Sequence, residues 1–100
     1  MAKLIALYKH PEDKEAFDQH YFEVHAPITE KIPGLREMRV TKFSTTPMGT
    51  DSPYYLMCEM IYDSMDDLKN GMRSAEGKAS GKDLMSFAGN LVTLMIGEDA

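Results

Sequence analysis

His25 stands in a run, Phe17 to Leu35 (FDQHYFEVHAPITEKIPGL), that reads as an amphipathic helix followed by a proline and a tight Pro33-Gly34 turn. Histidine is the side chain whose ordinary pKa lies closest to neutral pH. In a mainly apolar pocket it can serve as a general acid or base. Tyr21, one turn earlier, would offer a hydroxyl beside it. On a regular helix with Phe17 at zero, Tyr21 falls about 40° round and His25 about 80°. The imidazole then sits at the border of a buried stripe made by Phe17, Tyr21, Val24 and Ile28. A place near the helix C-terminus favours the protonated ring, and burial opposes it. The bland alternative is a histidine that bonds a carbonyl and supports the turn at Pro27.

Other candidates carry weaker chemistry. Tyr8, Tyr54, Tyr55 and Tyr62 offer hydroxyls, although most such tyrosines are core or interface aromatics with a wet tip. Arg39 could hold a carboxylate or enolate oxygen, or stand as an exposed charge or an interface ion pair. Glu59 interrupts the apolar row Tyr55, Met57, Ile61 and calls for a partner or a function. Cys58 is alone, and a buried inert thiol is its default reading. His20 and His25 are five residues apart, about 140° on a regular helix. With no His-Glu-x-x-His and no paired cysteines, no metal site is expected. Nor is there a glycine-rich phosphate loop.

One hundred residues make one small domain, residues 1–100. A hydrophobic content of 43% excludes wholesale disorder. Nine methionines suggest an adaptable core or a plastic pocket. The net charge of −5, from 16 acidic and 11 basic residues, argues against nucleic acid or an anionic membrane as partner. The single cysteine fits a reducing compartment. MAKLIALYK carries no signal-like cleavage region, and no run nears the roughly 18 apolar residues of a spanning helix. The expected location is cytoplasmic.

These residues must be positioned by the following elements. Lys3–Lys9 reads as a strand buried on both faces. Asp13 caps a helix that ends or kinks just past His25, because a proline disfavours helical geometry at the residue before it, with a looser turn continuing as far as Lys31. Leu35–Ser44 is a second strand, Thr45–Pro53 a polar loop, and Tyr54–Tyr62 the strongest strand. Ser64 with Asp67 opens a helix with Met65, Leu68 and Met72 inward. Gly77 and Gly81 predict a broken helix over Ser74–Ala88, its better half from Lys82. Leu91–Ile96 closes the chain as a last strand. The order is β-α-β-β-α-(α)-β, an α+β ferredoxin-like split βαβ with a four-stranded antiparallel sheet and its helices on one face. Strands apolar on both flanks would leave several hundred square ångströms of bare surface, so sheet-to-sheet pairing into a homodimer is expected.

Tyr8 through Lys42 resembles the EthD family of the dimeric α+β barrel superfamily. The motifs are the strand end Tyr8-Lys9, Pro11 and Asp13 before Phe17, His25-Ala26-Pro27-Ile28 and Ile32-Pro33-Gly34-Leu35. Ser74-Ala75-Glu76-Gly77 and the Asp83 to Phe87 spacing are also similar. The resemblance implies a homodimeric barrel with a pocket between each sheet and its helices. It places a histidine at the pocket and names relatives that include cofactor-free monooxygenases, isomerases, cyclases and haem enzymes. The expected ligand is a small hydrophobic or aromatic oxygen-bearing molecule, handled without a cofactor. His25 and Tyr21 would be catalytic, and Tyr8, Phe17, Arg39 and Phe87 would bind substrate. The competing readings are a non-catalytic carrier or accessory protein of an oxidative degradation system, and a purely structural dimer with a filled core.

Overall fold

The computed structural model describes residues 1–100. Strands β1 (Ala2–Tyr8), β2 (Leu35–Lys42), β3 (Leu56–Tyr62) and β4 (Val92–Glu98) form one antiparallel sheet in the order β2-β3-β1-β4. Helices α1 (Lys14–His20), α2 (Ala26–Glu30), α3 (Met65–Arg73) and α4 (Ala75–Ala88) cover one face, and a π-helical turn over Tyr21–His25 joins α1 to α2. This is the ferredoxin-like α+β fold expected from the element order. No helix is long and apolar enough to cross a membrane.

Pairing places Leu4 beside Met60 and Ile96, and Ala6 beside Cys58 and Leu94, with Tyr8 beside Leu56 and Val92. Strand side chains alternate, so these residues make the floor under the helices, where Ala6, Tyr8, Leu56, Cys58 and Tyr62 are buried. The opposite face carries Ile5, Leu7, Met57, Ile61 and Met95, and no helix covers it. Glu59, on that face, finds its partner in Lys3 of the neighbouring strand at 3.8 Å.

Local chemistry explains the helix starts. Asp13 accepts from the Ala16 N–H at 3.0 Å, Ser64 from Asp67 at 3.1 Å, and Ser74 from Gly77 at 3.0 Å. Two expectations are corrected. Helix geometry persists through Ala26 (φ −59°, ψ −46°), so Pro27 does not end the helix, which continues to Glu30. Instead the Ala26 N–H reaches back five residues to the Tyr21 carbonyl, a π turn. Pro27, which has no N–H to place, falls in the first turn of α2, where it costs least. The widened turn holds Phe17, Tyr21, His25 and Thr29 on one buried row and leaves Val24 41% exposed, contrary to the regular-helix stripe.

The second correction concerns α4, which runs unbroken from Ala75 to Ala88. Gly77 is there because α3 crosses it: a Cβ at this position would meet the Gly71 carbonyl oxygen at 2.1 Å. At Gly81 a Cβ would meet nothing within 4 Å. We therefore expect Gly77→Ala to destabilise the chain by about 1–3 kcal/mol through overpacking. Gly81→Ala should stabilise it by about 0.5–1 kcal/mol. Urea unfolding of the two variants measures both, and equal midpoints would contradict the packing described.

Candidate functional site

The helix layer and the sheet enclose a cavity of about 230 Å³. Its floor is Leu4, Ala6, Tyr8, Cys58, Met60 and Tyr62, and its helical walls are His25 and Thr29 on one side and Gly77, Ser80, Gly81 and Leu84 on the other. The α4 contributors recur at helical spacing, so a stripe of small residues faces the sheet and leaves the hollow. Met72 and Leu94, each 43% exposed, mark its mouth.

Two helices meet at Asp83. Its carboxylate lies 2.9 Å from His25 Nδ1 and 3.0 and 3.1 Å from His20 Nε2. A carboxylate can only accept, so both ring nitrogens donate to it. His25 therefore holds its proton on Nδ1, and Nε2 keeps a lone pair. Thr29 Oγ1 approaches that nitrogen at 3.4 Å and Ser80 Oγ lies 2.7 Å from Thr29 Oγ1. With Thr29 donating to Nε2, Ser80 donates to Thr29, and the polar row along the wall is directional.

Burial is the main influence on His25 and pushes its pKa below the usual histidine range, while the Asp83 hydrogen bond and charge act the other way. A neutral ring with an unprotonated Nε2 is a general base in waiting, oriented by its carboxylate as in serine hydrolase triads. On the outer side, His20 stacks on Phe87 with centroids 4.4 Å apart and borders a separate open hollow of about 550 Å³. The carboxylate thus links the cavity wall to the surface.

The other expected site residues are dispersed. Tyr8 lies on the cavity floor. Phe17 and Phe87 line the outer hollow, although the Phe87 ring is 5.2 Å from that of His25. Tyr21 does not border the cavity. It is fully buried, stacked on Phe17 and edge-on to Tyr8, with its hydroxyl unpaired and held protonated by burial beside Cys58. Arg39 is not in the pocket either, because it stands on the uncovered sheet face and pairs with Glu37 there. The wheel that separated His20 from His25 by about 140° is overturned by the π turn, since both rings bond one carboxylate. Sequence reasoning did not assign roles to Asp83, Thr29 or Ser80. The four-residue step from His25 to Thr29 and the Asp83 to Phe87 spacing were the signals that could have pointed to them.

The EthD domain family matches residues 9–90, which is most of the chain. The chain belongs to the EthD family. A crystal structure of an ethyl tert-butyl ether D (EthD) family protein from Bacillus halodurans shares 64% identity and superposes with a TM-score of 0.95, over 100% of this chain and 99% of the other. An uncharacterized 11.0 kDa protein from the thcB-thcC intergenic region of Rhodococcus erythropolis is 26% identical over 99% of this chain and 95% of its own length. A dimeric ferredoxin-like protein of unknown function from Thermobifida fusca, at 12% identity, has a TM-score of 0.69 over 98% of this chain and 90% of its own. That last likeness concerns the fold alone.

The EthD chain should show the buried histidine in its pH-dependent stability. The unfolded chain takes up the His25 proton at the ordinary value near 6.5, whereas the folded chain does so only at lower pH. Between the two values the unfolded state carries more protons, so stability falls as pH falls through that window and is intact above it. Urea midpoints measured across that window should decline in the native chain and flatten in His25→Gln. An equally steep decline in the variant would remove His25 as the cause.

Proposed function

We propose that this EthD protein binds a small, mainly apolar, oxygen-bearing molecule in the cavity beside His25 and catalyses a proton transfer on it without a cofactor. The carrying observation is the buried His25 ring on the wall of an apolar cavity, with Nδ1 bonded to Asp83 at 2.9 Å. The roles follow from the polarity of that row. Asp83 sets the tautomer, Nε2 takes or returns the proton, and Thr29 occupies Nε2 until a ligand arrives. An apolar cavity of about 150 Å³ accepts benzene. A hollow of about 230 Å³ therefore suits a single ring with one or two substituents. Tyr8 supplies an aromatic floor for such a ring.

Acetophenone serves as a probe, because its methyl protons lie next to a carbonyl and exchange slowly in neutral D₂O. The native protein should speed deuterium incorporation, read by NMR. His25→Gln should lower the rate by about 10²- to 10⁴-fold, the usual contribution of a positioned acid or base. Asp83→Asn should also slow it, by favouring the wrong tautomer. Saturable binding with no exchange in the native protein would instead identify a carrier.

The same reading takes the protein as a homodimer joined through the uncovered sheet face. Ile5, Leu7, Met57, Ile61 and Met95 make an apolar band there, flanked by the Lys3–Glu59 and Arg39–Glu37 pairs. The fold is shared with a dimeric protein. Light scattering should return about twice the 11.3 kDa chain mass, and Ile5→Glu with Met57→Glu should return the single mass. A native protein at the single mass at micromolar concentration would refute the dimer.

A further inference from the structure

The mouth of the cavity is apolar and continues outward on the sheet. Met72, Gly81 and Leu94 border the cavity and are exposed, and none of the three has a polar side chain. Leu94 belongs to β4, the outer strand beside β1. It pairs with Ala6, and Ile96 pairs with Leu4, and both partners line the cavity floor. Residues opposite each other across a ladder share a face. The floor therefore runs out from under the helices as Leu94 and Ile96, which are 43% and 49% exposed. Glu98, next on that face, ends the apolar strip. The helical side of the mouth has a gap. A helix interior disfavours glycine, yet Gly81 stands in the middle of α4, where a Cβ would meet nothing within 4 Å. Packing explains Gly77, which α3 crosses, but not Gly81. Keeping the mouth open does explain it.

We propose that the ligand carries an apolar chain, which leaves the cavity past Gly81 and lies along Leu94 and Ile96. One substituted ring fills the hollow of about 230 Å³, so a longer molecule must pass the mouth. The oxygen of the ligand belongs with the polar row of His25, Thr29 and Ser80. Its other end meets only apolar groups at the mouth. A chain laid on the strip takes its own surface and that of Leu94 and Ile96 out of water together. Two residues on one face of a strand span about 7 Å, so the strip suits a short chain. Beyond it stands the Glu98 carboxylate, which a longer chain would have to desolvate. Leu94, Ile96 and Gly81 are then the residues that set specificity for chain length. This inference rests on the reading of the cavity as the ligand site, and names the class of molecule that site selects.

4-Methylphenol and 4-butylphenol are the probes, because they share a head and differ by three methylenes. Calorimetry on the native protein should show affinity rising about 2-fold per methylene, half the free energy of full burial, or about 8-fold between the two. Leu94→Thr with Ile96→Thr puts β-branched side chains that suit a strand in place of the apolar strip. It should remove most of that gain and leave 4-methylphenol binding as it was. Gly81→Leu, which fills the gap, should likewise weaken 4-butylphenol alone. Light scattering should give the double variant the same mass as the native protein. Equal affinity of the native protein for both phenols would overturn the inference, as would equal 4-butylphenol affinity in the native protein and the double variant. A lower mass for the double variant would also overturn it, because the strip would then be a contact between copies. If a variant fails to fold, the series of chain lengths on the native protein decides. Binding of neither phenol would sink the cavity reading as well, whereas 4-methylphenol binding with no gain from the chain sinks this inference alone.

Discussion

Asp83 accepts hydrogen bonds from two imidazoles that a regular helix would point apart, and it does so from a different helix. The bond is possible only because the π turn over Tyr21–His25 brings residues five apart onto one side. The side chains of His25 and Asp83 are 6% and 15% exposed, so little water stands ready to replace the partners. Removing the carboxylate would leave the His25 Nδ1–H without an acceptor in a nearly dry setting, at about 1–3 kcal/mol, whereas the His20 ring, 33% exposed, has water to turn to. The spacing between the first helical segment and α4 therefore depends on this contact. So does the tautomer of His25, and with it every chemical statement about the cavity.

Around that contact the chain accepts several local costs, and one of them, the unpaired Tyr21 hydroxyl, lies off the cavity. Gly81 sits inside a helix where a Cβ would meet open space, so alanine there would help the helix by about 0.5–1 kcal/mol. A hydroxyl is buried without a partner at Tyr62 and a titratable ring is buried at His25. The π turn departs from the better α-helical geometry. Each is unfavourable for a merely well-packed core, and all but the turn and the Tyr21 hydroxyl border one hollow of about 230 Å³, the turn itself carrying His25 to its wall. Sequences that otherwise agree with their fold place such conflicts at functional sites.

Much of the fold was legible from patterns of two and of three to four. The alternating faces of Leu56–Tyr62, the apolar run of β1 and the caps at Asp13 and Ser64 stand where their chemistry places them. Two readings failed for the same reason, because they treated helices as isolated. Gly77 looks like a breaker along the chain and is a crossing point in space. Pro27 looks like a stop and is absorbed by a π turn. His25 was legible as a chemistry-bearing residue, but its partner comes from Asp83, 58 positions away. No spacing rule joins them. Arg39 and Tyr21 were named by residue type, and the pleat and the core then took them elsewhere.

The central claim is that neutral His25 carries its proton on Nδ1, bonded to Asp83, with Nε2 bearing the lone pair. Nitrogen-15 NMR of the imidazole side chains, recorded above neutral pH, reads this directly. A protonated-type shift at Nδ1 with a bare-type shift at Nε2 for His25 is the predicted result. The opposite pattern, with the proton on Nε2, would contradict the account, because the nitrogen facing Thr29 would then be a donor and no base would stand at the cavity wall.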